Sequence, residues 1–115
     1  DSERRRWELM RETLLAAVPL WLDFRREWPA DALVDRAHEC AQVIAAEGDV
    51  LMFGGKVGGA GRVFNHLAEG MACALLAAAG QGEMEFLGVC WRLDGTGRLQ
   101  TGPVFSGEPA AGGAR

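Results

Sequence analysis

The chain has 115 residues and a mass of 12.4 kDa; 49% of its residues are hydrophobic, 24% are charged, and the formal net charge is −4. This hydrophobic share excludes a wholly disordered acidic chain, no apolar run reaches the ~20 residues of a membrane-spanning helix, and the mild negative charge creates no field that attracts nucleic acid. We therefore expect a single globular domain over residues 1–105 and a flexible tail over residues 106–115.

The first 28 residues contain two predicted helical segments and three of the four tryptophans. Apolar residues recur every three or four positions over residues 3–18, as on the buried face of a helix. Pro19 removes a backbone donor and crowds the preceding turn, so we expect the helix to kink or restart there and to continue over Leu20–Glu27. Both segments contribute to one apolar edge, formed by Trp7, Met10, Leu14, Trp21, Phe24 and Trp28. Either the domain's own core buries this edge, or the edge mediates self-association or the binding of another protein.

A second helix is predicted over residues 30–47, because Pro29 suits the first turn of a helix and Gly48 suits its end. The apolar run Asp49–Phe53 follows it in the sequence. We expect this run to form one strand or a buried extended segment.

A third helix is predicted over about residues 62–79, where apolar residues again recur at helical spacing. The adjacent face of this helix carries the small residues Gly70, Cys73 and Ala77. Small side chains let a neighbouring backbone approach closely, so we expect this face to lie against another element.

The C-terminal part of the chain has the pattern of a β-hairpin. Residues 84–93 are predicted as one strand, residues 94–97 (Asp-Gly-Thr-Gly) as the turn, and Leu99–Phe105 as the returning strand. The expected fold class is α+β, a small domain dominated by three or four helices with a C-terminal antiparallel β-hairpin.

A glycine-rich segment precedes the third predicted helix, and it is the strongest candidate for a ligand site in the sequence. A strand, a glycine loop and a helix N-terminus in this order can cradle an anion with backbone amides. The spacing matches neither the Walker A motif nor the dinucleotide-binding fingerprint, so the segment is either a mobile connector over residues 54–61 or an anion site. The residues of that site would be Gly54, Gly55, Lys56, Gly58, Gly59, Gly61 and Arg62.

Cysteines and histidines do not mark a catalytic or metal centre. Cys40, Cys73 and Cys90 form no C-x-x-C pair, and neither His38 nor His66 completes a set of closely spaced ligands. A Cys–His nucleophile is conceivable, although no spacing indicates which cysteine would meet which histidine. We therefore expect no structural metal, no cofactor and no catalytic residues. Three unpaired cysteines favour a reducing compartment, and we expect a cytoplasmic protein.

Three sequence blocks resemble a group of small uncharacterised proteins of actinobacteria and their phages. The blocks are RAHECAQVIAAEGDVL, VFNHLAEGMACALLAAAG and EMEFLGVCW, which together cover about residues 36–91. Proteins of that group have the same order of elements: a helix ending in A-x-x-G-D, a glycine-containing loop, a second helix and an aromatic-ended strand. The resemblance implies an origin in actinobacteria or their phages and no particular reaction.

These observations favour a non-enzymatic protein-interaction or accessory module that self-associates through its tryptophan-rich N-terminal helix. Its partner would be a second copy of the chain or another subunit of a protein assembly; we expect no membrane insertion, and the sequence does not indicate nucleic acid as a partner. The alternative is a small nucleotide- or anion-binding protein that uses the glycine-rich segment over residues 54–62.

Overall fold

The structure is a computed structural model, and it describes residues 2–49, 57–78 and 81–102. Three helices come first in the chain: α1 (Ser2–Arg25), α2 (Ala30–Asp49) and α3 (Val57–Ala78). Three antiparallel strands follow in the spatial order β1 (Glu83–Phe86), β2 (Val89–Leu93) and β3 (Leu99–Gly102). The chain is thus an α+β domain dominated by helices, as the sequence predicts.

Helix α1 continues through Pro19, so the predicted restart of the helix at this proline is wrong. Val18 and Leu22 lie on either side of Pro19, and both side chains are buried in the core. Burial of these two side chains on one face favours a continuous helix over a broken one, and it offsets the backbone hydrogen bond that proline cannot make.

Helix α2 begins directly after Pro29, whose carbonyl accepts a hydrogen bond from the Leu33 amide at 3.0 Å. The helix extends to Asp49, two residues beyond the predicted end. The strand predicted over Asp49–Phe53 therefore loses its first residue to α2, and residues 50–53 lie outside the described residues.

Helix α3 begins at Val57 instead of near residue 62, so the predicted connector is wrong from Val57 onward. Glycine disfavours a helix by about 1 kcal/mol relative to alanine but does not forbid helical dihedral angles. Once the later turns of a helix are held by packing, adding residues at its end avoids the cost of nucleation. Those later turns begin at Val63, which is fully buried.

Helix α3 lies at the centre of the domain and packs against α1, against α2 and against the sheet. The main core lies between α1, α3 and strand β2, and Trp91 on β2 is the largest fully buried side chain. The indole nitrogen of Trp91 donates a hydrogen bond to the carbonyl of Phe86 at 3.2 Å. The buried members of this core are Leu14, Val18, Leu22, Leu67, Ala68, Met71, Ala72, Leu75, Trp91 and Leu93.

Helix α2 packs on α3 at the face of small residues, and this confirms the predicted close approach. A Cβ atom placed on Gly70 would lie 3.0 Å from the Cβ of Cys40 and 4.0 Å from the carbonyl oxygen of Ala37. The absence of a side chain at Gly70 therefore sets how closely the two helices approach.

The C-terminal sheet contains one turn more than the sequence analysis predicts. Residues 84–93 form two strands joined by a tight turn at Leu87–Gly88, where both residues have positive φ (59° and 76°). The second turn lies at Asp94–Gly97 as predicted. The observed element is therefore a three-stranded sheet, and residues 103–105 of the predicted returning strand lie outside the described residues.

We expect Gly88→Ala to destabilise the domain and Gly95→Ala to leave it nearly unchanged. An added Cβ would meet nothing within 4 Å at either position, but only Gly88 of the two has a positive φ, 76°. The left-handed conformation costs a residue with a side chain about 1–2 kcal/mol, whereas an exposed substitution without strain stays within about 0.5 kcal/mol. Chemical denaturation measures both values, and equal stabilities for the two variants would contradict the assigned turn.

Candidate functional site

Helix α1 has two apolar faces on opposite sides of its axis. The inner face carries Leu14, Val18 and Leu22, which are buried against α3 and the sheet. The outer face carries five residues at successive spacings of four, three, four and four, all of them exposed: Leu9, Thr13, Ala16, Leu20 and Phe24. We call these five residues the outer stripe.

The outer stripe exposes large apolar side chains to an unusual degree. Leu9, Leu20 and Phe24 retain 63%, 61% and 67% of their accessible surface. Thr13, between them, turns its hydroxyl inward along the helix and donates a hydrogen bond to the carbonyl of Leu9 at 2.8 Å. Because this hydroxyl already has a partner, the stripe can be covered without leaving a buried donor unsatisfied.

The apolar edge predicted from the sequence does not form one continuous surface. Leu14 is fully buried in the chain's own core, and Met10 and Trp21 are partly buried against that core. Trp7 is also partly buried, while Phe24 and Trp28 are exposed. Of the six residues, Phe24 alone belongs to the outer stripe, because the others lie on the inner face, on its margins or beyond the end of α1.

Arg25, at the end of α1, lies against two of the tryptophans. Its guanidinium carbon is 4.8 Å from the ring centroid of Trp21 and 4.3 Å from that of Trp28. An arginine at this distance from an aromatic ring is attracted by the ring's negative face. Trp21 and Trp28 therefore hold Arg25 in place at the corner between α1 and α2.

Arg25 and Arg36 share the carboxylate of Glu69, which is buried in the middle of α3. Arg25 donates from Nε and Nη2 to Oε2 of Glu69 at 3.0 and 2.7 Å. Arg36, on α2, donates from Nε to Oε2 at 2.8 Å and from Nη2 to Oε1 at 3.0 Å. One carboxylate thus joins all three helices through four hydrogen bonds.

The charges of this cluster balance within the domain. Arg36 also donates from Nη1 to Oε1 of the exposed Glu39 at 2.9 Å. Burial by itself would raise the pKa of Glu69, but the hydrogen bonds from Arg36 and Arg25 outweigh it and hold the pKa below the usual 4.5. Hydrogen bonds to Glu69 and Glu39 raise the pKa of Arg36. The cluster is therefore a neutral set of two arginines and two glutamates with a structural role.

The sequence analysis missed Glu69, although the sequence carries a signal for it. Between Arg62 and Glu83 it is the one formally charged residue in a long apolar segment. A charge in an otherwise apolar segment needs a partner when it is buried. Which residues are the partners is not evident from the sequence, because Arg25 and Arg36 lie 44 and 33 residues away.

The environment of the cysteines opposes a role as nucleophiles. Cys40 and Cys73 are fully buried. Burial, together with the nearby charge of Glu69, raises the pKa of Cys40 to about 11 and also raises the pKa of Cys73. A reactive thiol requires a lowered pKa. Within the described ranges, no group of three or more His, Cys, Asp or Glu residues is arranged to hold a metal ion.

The predicted anion site is divided by the start of α3. Gly54, Gly55 and Lys56 lie outside the described residues, whereas Gly58, Gly59, Gly61 and Arg62 belong to the first turns of the helix. An anion site at this junction stays a prediction from the sequence.

Two grooves border α1 and α2, and most of the charged side chains that line them are already paired. One, of about 380 Å³, lies beside Arg25, Arg36 and Glu39, whose charges are paired as described. The other, of about 410 Å³, lies between α1 and the β2–β3 turn, where Arg26 contacts Asp23. Among the described residues, every buried side-chain nitrogen and oxygen has a hydrogen-bond partner. The outer stripe of α1 is therefore the candidate functional site.

Comparison with known proteins adds no relative, since the chain matches no family model, no curated protein and no solved structure. Among the described helices, none is both long enough and apolar enough to cross a membrane.

We expect Glu69→Gln to destabilise the domain by about 3 kcal/mol, the lower end of the range for breaking a buried ion pair, because the two arginines stay partly exposed. Glu39→Gln is the matched control: its side chain is 62% exposed, so its loss should cost less than ~1 kcal/mol. Urea denaturation of both variants measures the difference. Equal effects would show that Glu69 does not join the helices as described.

Acid should weaken the wild-type domain through Glu69. Because the folded pKa of Glu69 lies below the usual 4.5, the unfolded chain takes up the proton first. The contribution of Glu69 to stability is thus complete above pH 4.5 and declines as the pH falls below it. Asp94, whose pKa is lowered mainly by the hydroxyl of Thr96, acts in the same direction. The test therefore uses two chains that both carry Asp94→Asn, one with Glu69 and one with Glu69→Gln. Between pH 4.5 and 2.5 the free energy of unfolding should fall less steeply in the chain with Glu69→Gln. Parallel plots of this free energy against pH would contradict the prediction.

Proposed function

We propose that this protein is a non-enzymatic interaction module that self-associates through helix α1. The observation that carries the proposal is the outer stripe, in which Leu9, Leu20 and Phe24 are each more than 60% exposed. Scattered apolar residues are ordinary on a protein surface, but a contiguous stripe along one helix is typical of an interface.

The spacing of the stripe supports a helix as its partner. From Leu9 to Leu20 the steps of the stripe alternate between four and three, as in the seam of a two-helix contact, in which side chains of each helix fit between those of the other. The stripe runs from Leu9 to Phe24, about 22 Å along the axis. A second copy of α1 presents a surface of the same length and spacing.

The rest of the domain supports an accessory role over a catalytic one. The charges of Arg25 and Arg36 are neutralised by those of Glu69 and Glu39, and the buried thiols Cys40 and Cys73 have raised pKa values. Three free, buried cysteines are also typical of proteins that work in a reducing compartment, so we assign the module to the cytoplasm.

We expect the mass in solution to be twice the 12.4 kDa of the chain at tens of micromolar, and we expect Leu20→Glu to reduce it to that of the monomer. A charge within an apolar seam must be desolvated without a partner, which disfavours association. Sedimentation equilibrium measures the mass, and circular dichroism verifies that the variant is folded.

Val34→Glu is the matched control for this experiment. Val34 is also an exposed apolar residue, with 41% of its surface accessible, but it lies on α2 away from the stripe. The control should keep the mass of the wild type. A monomeric wild type, or loss of association in both variants, would contradict self-association through α1.

A further inference from the structure

We infer that two copies of the chain pair through the outer stripe in antiparallel orientation, around a two-fold axis that passes between Leu14 and Leu15 of each α1. The inference rests on the proposed function, because it specifies how the same surface meets its partner. Three features of α1 carry it: the order of large and small residues in the stripe, one pair of opposite charges beside it, and a depression at its N-terminal end.

Four of the five residues of the stripe are symmetric about this axis; the fifth, Phe24, lies level with Arg5 of the second copy. In an antiparallel pair centred there, residue n of one helix lies level with residue 29 − n of the other. Leu9 then faces Leu20 of the second copy, and Thr13 faces Ala16. The two small residues occupy the centre, where they let the helix axes approach closely, and the leucines close both ends. The hydroxyl of Thr13, bonded to its own helix, adds no unmet donor.

Opposite charges meet beside the seam in the same arrangement. Arg5 and Asp23 are both exposed, and within its own chain Asp23 also accepts a hydrogen bond from Arg26 at 3.3 Å. The two residues lie 18 positions apart, which is five helical turns and places them on the same flank of α1. A two-fold axis perpendicular to antiparallel helices places this flank of one α1 beside the same flank of the other. Arg5 lies level with residue 24 of the second copy, about 1.5 Å along the axis from Asp23. The pair therefore forms twice in each dimer.

A depression on α1 lies where this geometry requires one. It has a volume of about 240 Å³ and is lined by Arg5, Glu8, Leu9 and Glu12. These four positions have the i, i+3, i+4, i+7 spacing of the hole that receives a side chain in knobs-into-holes packing. The centre of the hole lies level with Leu20 of the second copy.

A parallel pair lacks these features. With both helices in the same direction, Arg5 of one copy lies level with Arg5 of the other, and Asp23 is about 27 Å away along the axis. An antiparallel register shifted by one turn places Leu20 opposite Thr13 instead of Leu9. It also moves Arg5 about 5–8 Å from Asp23 along the axis.

Disulfide trapping tests the arrangement in the full-length chain. Leu9→Cys and Leu20→Cys are purified separately, and each alone and their equimolar mixture are incubated with oxidised glutathione. We expect a covalent dimer in the mixture and only monomer in either variant alone. Two controls measure the background of disulfide formation. One is the unsubstituted chain, whose Cys40, Cys73 and Cys90 are buried, and the other is a mixture of Gln42→Cys with Leu20→Cys.

Each outcome separates the inference from the proposed function. A covalent dimer of Leu9→Cys alone would show a different orientation or register, which overturns the inference while self-association stands. The inference is also overturned, and self-association stands, if sedimentation shows that both variants form dimers but their mixture forms no disulfide. A monomer at every concentration overturns the proposed function together with the inference.

A charge exchange gives a second measurement that leaves the leucines intact. Asp23→Arg should raise the dissociation constant of the dimer about 3- to 10-fold, since two exposed ion pairs become two repulsions. Adding Arg5→Asp to the same chain should restore the dissociation constant of the wild type. Asp35→Arg is the control, because it changes the net charge equally but lies on α2. Arg5→Asp should not reverse any effect of Asp35→Arg on the dissociation constant. Failure of the double exchange to restore association would overturn the inference.

Discussion

The carboxylate of Glu69 is the point at which the three helices are joined. It lies in the middle of the central helix, it is almost fully buried, and it accepts four hydrogen bonds from Arg25 at the end of α1 and Arg36 on α2. A charge in this position is stable only when both arginines are in place, because an unpaired buried carboxylate costs several kcal/mol. The relative positions of α1 and α2 on α3 therefore depend on this one group. Trp21 and Trp28 support it by holding Arg25.

The position of α1 on α3 determines in turn which residues reach the surface. With Leu14, Val18 and Leu22 directed into the core, the opposite face of the helix has to point outward. That face carries Leu9, Leu20 and Phe24. A helix with apolar residues on two opposite sides can bury only one of them within a domain of this size. The second face is the surface through which we propose that the chain self-associates, and the ion pairs of Glu69 fix the helix that carries it to α3.

Several parts of the fold follow from local sequence patterns. The helical spacing in α2 and α3 and the turn at Asp94–Gly97 each depend on residues near one another in the chain. Two local predictions were wrong for identifiable reasons. Val18 and Leu22 are buried on both sides of Pro19, so packing carries the helix through it. Leu87 adopts a positive φ beside Gly88, which a leucine rarely does, so the sequence between Met84 and Leu93 reads as one strand.

The sequence by itself determined that the chain forms an α+β domain dominated by helices. It left open whether the core buries the apolar edge of the first helix. Only the tertiary structure decided which apolar residues of that helix are buried. It places Leu14 in the core and Leu20 on the surface, although both belong to the same helix. The physical reason is that helical periodicity defines faces but not which face meets a neighbour. That choice depends on contacts between distant residues, here Arg25 and Arg36 with Glu69, and no local pattern encodes such contacts.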